Sequence, residues 1–229
     1  MSLVRIFIGW DHRQPVSFVA LTHSIIRHSS RPVAITPLVL PTLALRRTGL
    51  TPFTFSRFMV PRLMDYDGWA LFLDIDMMFR AAPAELFALA DDKYAVMVVK
   101  NPNPGLAFER ASMMLFNCRK CAVLTPEYVE AENGLHKIAW AAEEEIGALP
   151  VEWNHLVGYD KPNPNAKLVH FTQGVPAYPE TKDCEFGEEW RAVASAAFSS
   201  VSWRELMGNS VHAQFVAERL RKQAEQTAA

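Results

Sequence analysis

Two carboxylates set two residues apart, Asp74 and Asp76, stand at the end of the apolar run Trp69-Ala70-Leu71-Phe72-Leu73. In a strand, residues i and i+2 point to the same side, so both carboxylates face one way. Two like charges ~6 Å apart at an effective dielectric of ~20 repel by roughly 3 kcal/mol, and burial adds a desolvation cost. A hard divalent cation between them removes that conflict. An Asp-x-Asp can also open a solvated loop or cap a turn. Here Met77-Met78-Phe79 continues the apolar run beyond the pair. That favours a buried metal site over a solvated loop.

The elements that must position this pair follow from hydrophobic spacing. Residues 3–9 read as a buried first strand, 16–28 as an amphipathic helix, and Val33-Ala34-Ile35 as a second strand. A β-α-β start predicts a parallel sheet with a crossover helix. A Pro/Thr-rich connector leads to Ser56, which is expected to cap a helix through Arg57, Val60 and Leu63. Residues 69–79 read as a central strand covered on both faces. Further expected elements are a helix over 83–90, strands at 94–99, 112–117 and 167–171, a helix over 126–146, and helices at 190–198 and 202–226. The class is α/β: an open sheet whose strand ends carry a ligand at their carboxyl side. One domain over residues 1–229 is expected, with a helical C-terminal segment from about 185.

Composition narrows the function classes. Of 229 residues, 50% are hydrophobic and 21% charged, with a net charge of −2. No field draws a polyanion, so nucleic acid is not an expected partner. The first apolar run is too short for a signal peptide and no stretch reaches the ~20 residues of a membrane span, so a cytoplasmic protein is expected. Cys118, Cys121 and Cys184 leave an odd thiol, which argues against a disulfide framework. Cys118-Arg119-Lys120-Cys121 lacks the second ligand pair a zinc site needs, and buried thiols are the plainer reading. His12, His23, His28, His136, His155 and His212 show no metal-ligand spacing and read as surface or satisfied core residues.

Four segments in order resemble the retaining glycosyltransferases of family 8, the relatives of glycogenin. They are Ile6-Phe7-Ile8-Gly9-Trp10-Asp11, Phe55-Ser56-Arg57-Phe58, Leu71-Phe72-Leu73-Asp74-Ile75-Asp76, and Val169-His170-Phe171-Thr172-Gln173-Gly174. The likeness covers residue 4 to about 180. It implies the GT-A fold, a Rossmann-like open mixed sheet with flanking helices, and sugar transfer with retention from a nucleotide-sugar donor, a UDP-sugar. The resemblance implies Asp74, Asp76 and His170 as ligands of Mn²⁺ (or Mg²⁺), with Asp74 also near the ribose. It implies Gly9 and Asp11 at the uracil and ribose pocket, Arg57 at the donor sugar or diphosphate, and Gly174 beside the diphosphate.

Asn117 and Glu144 would face the sugars and complete the catalytic set, with Asn154 as a further sugar contact. Helix capping by Asn117 and a solvated Glu143-Glu144-Glu145 face are the plainer readings of those residues. The acceptor (glycan, lipid-linked or other) is left open. One departure stands out. The segment Gly174-Val175-Pro176-Ala177-Tyr178-Pro179 lacks the family's lysine and tryptophan, and Lys182 is the next basic residue. Two rival readings are a nucleotidyltransferase making nucleotide sugars, disfavoured by the single glycine in residues 9–14, and a glycosyltransferase-like domain without turnover.

Overall fold

Strand β1 (Val4–Gly9) is buried along nearly its whole length and enters helix α1 (Pro15–His28) through a short polar turn. Pro15 suits a first helical turn because its missing N–H has no partner to lose there. The buried stripe Ser17, Ala20, Leu21, Ser24 and Ile25 follows helical spacing. The small residues in it let β4 (Met77–Phe79) pack against the helix, and the Ser24 hydroxyl accepts the Phe79 N–H at 3.1 Å. Strand β2 (Val33–Leu38) returns parallel to β1, as the β-α-β pattern predicts. The computed structural model describes residues 3–100, 111–199, 208 and 210–227. The chain divides into two compact units, Met1–Ala194 and Ser195–Ala229.

In the first unit β3 (Trp69–Leu73) lies parallel to β1, and β6 (Met113–Asn117) runs antiparallel to β3. With β5 (Val96–Val98) and β7 (Ile146–Ala148) they form one mixed sheet in the order β2-β1-β3-β6-β5-β7. A second sheet, β4-β9-β8, joins β4 to β9 (Leu168–His170) and β8 (His155–Leu156). The expected single strand over 69–79 is therefore two strands in two sheets, with Asp74-Ile75-Asp76 as the bend between them. The last rung on the first side is the Asp74 N–H to the Ser112 carbonyl at 2.9 Å. Hydrophobicity alone did not betray the bend, because both flanks and Ile75 are fully buried.

Two helical expectations change. Ser56 does not cap a helix: it begins a 3-10 turn, Ser56–Met59, that runs into α2 (Val60–Leu63), and its hydroxyl is buried. The stretch 126–146 is not one helix. Thr125 caps the short α4 (Pro126–Ala131) by accepting the Tyr128 N–H at 3.2 Å, and the chain leaves helical geometry at Glu132, just before Asn133-Gly134. Helix α3 (Pro83–Phe87) and α5 (Gly187–Phe198) fall where helices were expected. Trp190 and Val193 of α5 pack with Met78, Val169 and Phe171 of the second sheet. In the second unit α6 (Ala213–Thr227) has no buried residue. Of the helix expected from 202, residues 202–207 and 209 lie outside the described residues. Among the described residues no helix is long and apolar enough to cross a membrane.

Candidate metal and donor site

The bend after β3 carries Asp74 and Asp76, and the second sheet brings His170 to them. Met77 pairs with His170 across β4 and β9, and the Asp76 carbonyl accepts the Phe171 N–H at 3.0 Å. The His170 Nε2 consequently lies 3.3 Å from Asp76 Oδ1. Asp74, Asp76 and His170 each offer a ligand atom, and all these atoms lie within 4.8 Å of one another. Metal–ligand bonds of roughly 2.0–2.2 Å allow three such atoms to share one cation. His170 is almost fully enclosed, whereas the Asp76 side chain retains 23% of its exposure. That opening is the side from which a ligand can approach.

Arg57 is built into the floor of this site. Its Nη2 stands 3.0 Å from Asp74 Oδ1, its Nη1 donates to the Ala111 carbonyl at 2.7 Å, and its Nε donates to the Phe53 carbonyl at 3.4 Å. The guanidinium also lies over the rings of Phe72 and Phe53, at 5.0 and 5.6 Å. With only 8% of the side chain exposed, Arg57 holds Asp74 and does not extend into the opening. His136 supports the same corner: it packs edge-on to Phe55 and Phe58, and its Nε2 lies 3.0 Å from the Thr54 carbonyl. Burial, with Arg57 nearby, pushes its pKa down to about 4.

Gly9 ends β1 and Asp11 follows it at the same sheet end, since β1 and β3 are parallel with Ile8 beside Leu73. A Cβ on Gly9 would meet the Phe53 ring at 2.5 Å, so packing of Phe53 accounts for this glycine. Asp11 is fully buried, and the Arg13 guanidinium beside it holds its carboxyl below the usual range. Gly174 adopts φ +112°, a backbone conformation other residues rarely take, and donates its N–H to the Phe171 carbonyl at 2.9 Å. Asn154 is buried and donates to the Ser112 hydroxyl at 3.0 Å, while the Ser112 carbonyl receives the Asp74 N–H.

Asn117 and Glu144 are not brought to this cluster. Strand β6 is antiparallel to β3, so its last residue, Asn117, pairs with Trp69 at the far end of the sheet. Its side chain donates to the Tyr94 carbonyl at 3.2 Å. Four residues of strand at ~3.3 Å each put it roughly 13 Å from the Asp74 end. Glu144 is exposed on the 3-10 turn Glu143–Glu145 that precedes β7 and is not among the clustered ligand atoms, and Glu143 pairs with Lys100 at 2.9 Å. His155, read as a satisfied core residue, is one: its Nε2 lies 2.8 Å from Glu185. Cys118 and Cys121 are buried, and burial pushes the Cys118 thiol up to about 12 and that of Cys121 higher still. Two contributors escaped the sequence reading, Ser112 and Arg13. The Asp11-His12-Arg13 spacing in a turn is the signal that could have found the second.

No protein-family model matches the chain. Among curated proteins, Protein CDI of Arabidopsis thaliana is 39% identical over 219 residues, covering 81% of this chain and 84% of that protein. The chain belongs to the Protein CDI family. Solved glycosyltransferases share this family member's fold. The bifunctional glycosyltransferase WbbM, in its apo form, superposes with a TM-score of 0.65 at 15% identity over 95% of this chain. The match takes up 52% of the WbbM chain, so this chain spans about half its length. GlyE of Streptococcus pneumoniae TIGR4 gives 0.62 at 14% identity, over 85% of this chain and 60% of that one. The galactosyltransferase LgtC, in complex with donor and acceptor sugar analogs, gives 0.61 at 12% identity, over 88% and 99%. At these identities the likeness establishes the fold, which is GT-A.

Proposed function

We propose that this protein transfers a sugar from a nucleotide-sugar donor, a UDP-sugar, to a hydroxyl acceptor, using a divalent cation held by Asp74, Asp76 and His170. The observation that carries this reading is the convergence of Asp74 and Asp76, from the bend after β3, with His170 of the second sheet, on a GT-A fold. Two carboxylates and an imidazole fit Mn²⁺ better than Mg²⁺, which favours an all-oxygen octahedron. Such a cation, when bound, offsets the charge of the leaving diphosphate.

The chain's own residues do the rest. Arg57 fixes the Asp74 carboxylate through contacts that leave the guanidinium no freedom to swing. The rung between Phe171 and Asp76 ties His170 to the bend, so the ligand set is preorganised. Gly174, in its left-handed conformation, lets the backbone pass close to the diphosphate without a side chain in the way. Retention of anomeric configuration goes with the family 8 resemblance.

A coupled assay with UDP-sugars, acceptor mixtures and Mn²⁺ tests the reaction. Release of nucleoside diphosphate is the expected product. Release of pyrophosphate with a sugar phosphate substrate assigns the nucleotidyltransferase reading instead, and metal-dependent binding without turnover assigns the inactive one. His170→Ala should weaken Mn²⁺ binding in calorimetry with UDP present and narrow the preference over Mg²⁺. Unchanged Mn²⁺ affinity refutes the three-ligand site.

A further inference from the structure

The turn between β1 and α1 contains a cation that the reading so far leaves unused. Asp11 is fully buried, yet its carboxylate is given over to a residue whose side chain is 57% exposed. Asp11 Oδ1 accepts the backbone N–H of Arg13 at 2.9 Å and its Nε at 2.9 Å, and Oδ2 accepts Nη2 at 2.6 Å. A guanidinium has five N–H donors in one plane, and this fork uses only its inner edge. Among the described residues Nη1 of Arg13 has no hydrogen-bond partner, so the outer edge faces solvent with its donors unspent. An arginine locked on one side and open on the other presents a preorganised match to phosphate oxygens.

Its place in the fold is equally specific. The turn leaves β1 at the end where Ile8 sits beside Leu73, one residue before Asp74. On the opposite side, the segment after His170 is tied to Asp76 through Phe171, and Gly174 is tied to Phe171 in turn. A Cβ at Gly174 would touch the Tyr178 ring at 3.4 Å, and Tyr178 lies within electrostatic reach of Arg13. The turn that follows β1 and the segment that follows His170 thus both start beside the Asp74-Ile75-Asp76 bend. It is in this segment, 174–179, that the sequence carries no lysine. Lys182 is exposed and further along, in the loop before α5.

We propose that Arg13, oriented by the buried Asp11, is the cation that grips the donor's diphosphate beside the metal site. Arg13 touches the ligand and Asp11 is a positioning residue that acts through it. The inference rests on the nucleotide-sugar reading and adds to it the group that recognises the diphosphate.

Calorimetry on the whole chain, with saturating Mn²⁺, distinguishes this from a surface pair that only neutralises Asp11. The probes are UDP and uridine; the variants are Arg13→Ala, Arg13→Lys and Lys182→Ala. Arg13→Ala should weaken UDP roughly tenfold or more while uridine changes by less than about twofold, because only the charge-assisted contact to phosphate is lost. Arg13→Lys should fall between, since it keeps the charge without the fork. Lys182→Ala should bind as wild type. A folding defect would lower both affinities together, so the ratio of UDP to uridine affinity is the decisive readout. The role of Arg13 is overturned if UDP affinity survives Arg13→Ala, if uridine falls by the same factor, or if Lys182→Ala carries the loss. Should Arg13→Ala fail to fold, Arg13→Lys and Arg13→Gln give the same ratio. Wild-type protein that binds no UDP overturns the nucleotide-sugar reading and Arg13's role with it.

Discussion

The two ends of the six-stranded sheet treat their polar groups in opposite ways. At the far end, Asn117 bonds the Tyr94 carbonyl and Cys121 lies 3.3 Å from the Ala95 and Asn117 carbonyls. Each group there is settled locally. At the Asp74 end, two carboxylates, an imidazole and a guanidinium from different elements meet in a largely buried corner. Charges gathered at such cost are the reason the proposed metal and donor are assigned to this end. The six-stranded sheet reaches both ends, but only at the Asp74 end does the second sheet bring in a further side chain, His170.

The comparison breaks most visibly at Arg57. Arg57→Met should destabilise the apo protein by about 3 kcal/mol in urea denaturation, because it removes the buried guanidinium that pairs with Asp74 at 3.0 Å and donates to the Ala111 carbonyl. A loss below about 1 kcal/mol would mean that the pair is a dispensable surface contact. Next comes pH. The folded pKa of His136 is about 4, below the ordinary value of 6.5, so between those values the unfolded chain binds a proton the fold refuses. Stability is therefore full above pH 6.5 and declines as pH falls toward 4, by about 2 kcal/mol after allowing for partial exposure. His136→Gln should remove this part of the pH slope, measured as urea midpoints at pH 7, 5.5 and 4.5. Equal slopes in the two proteins would refute it.

Smaller effects are expected away from the Asp74 cluster. Asn117→Ala removes one hydrogen bond to the Tyr94 carbonyl and should cost about 1 kcal/mol, with nucleotide affinity unchanged. Glu144→Ala, on an exposed turn, should stay within about 0.5 kcal/mol and leave turnover intact. A clear loss of turnover in either variant would bring the far end into the chemistry and erase the contrast.

Much of the Asp74 end was legible in the sequence. The β-α-β start and the apolar run into Asp-x-Asp are local signals, His170 came with the family 8 resemblance, and the structure puts Asp74, Asp76 and His170 together. What was not legible is what depends on strand direction and on partners distant in sequence. Asn117 ends its strand as Asp74 follows its own, but β6 runs antiparallel, so its carboxyl end lies at the wrong side. No residue pattern in 112–117 encodes that direction. The break of residues 69–79 into two sheets was hidden by uniform burial on both sides of the bend. Arg57 reads as a free basic residue on a helix until Ala111 and Asp74, both distant in sequence, are seen to close on it.

The central claim, a divalent cation shared by Asp74, Asp76 and His170 at a nucleotide site, is tested most directly by thermal unfolding with UDP, with and without Mn²⁺. UDP at about a hundred times its dissociation constant adds ~2.7 kcal/mol to the wild type, visible as a rise in Tm. That rise should require Mn²⁺, should vanish in Asp76→Asn, and should persist in Asn117→Ala. A rise of the same size in wild type and Asp76→Asn, or one indifferent to Mn²⁺, would contradict the account.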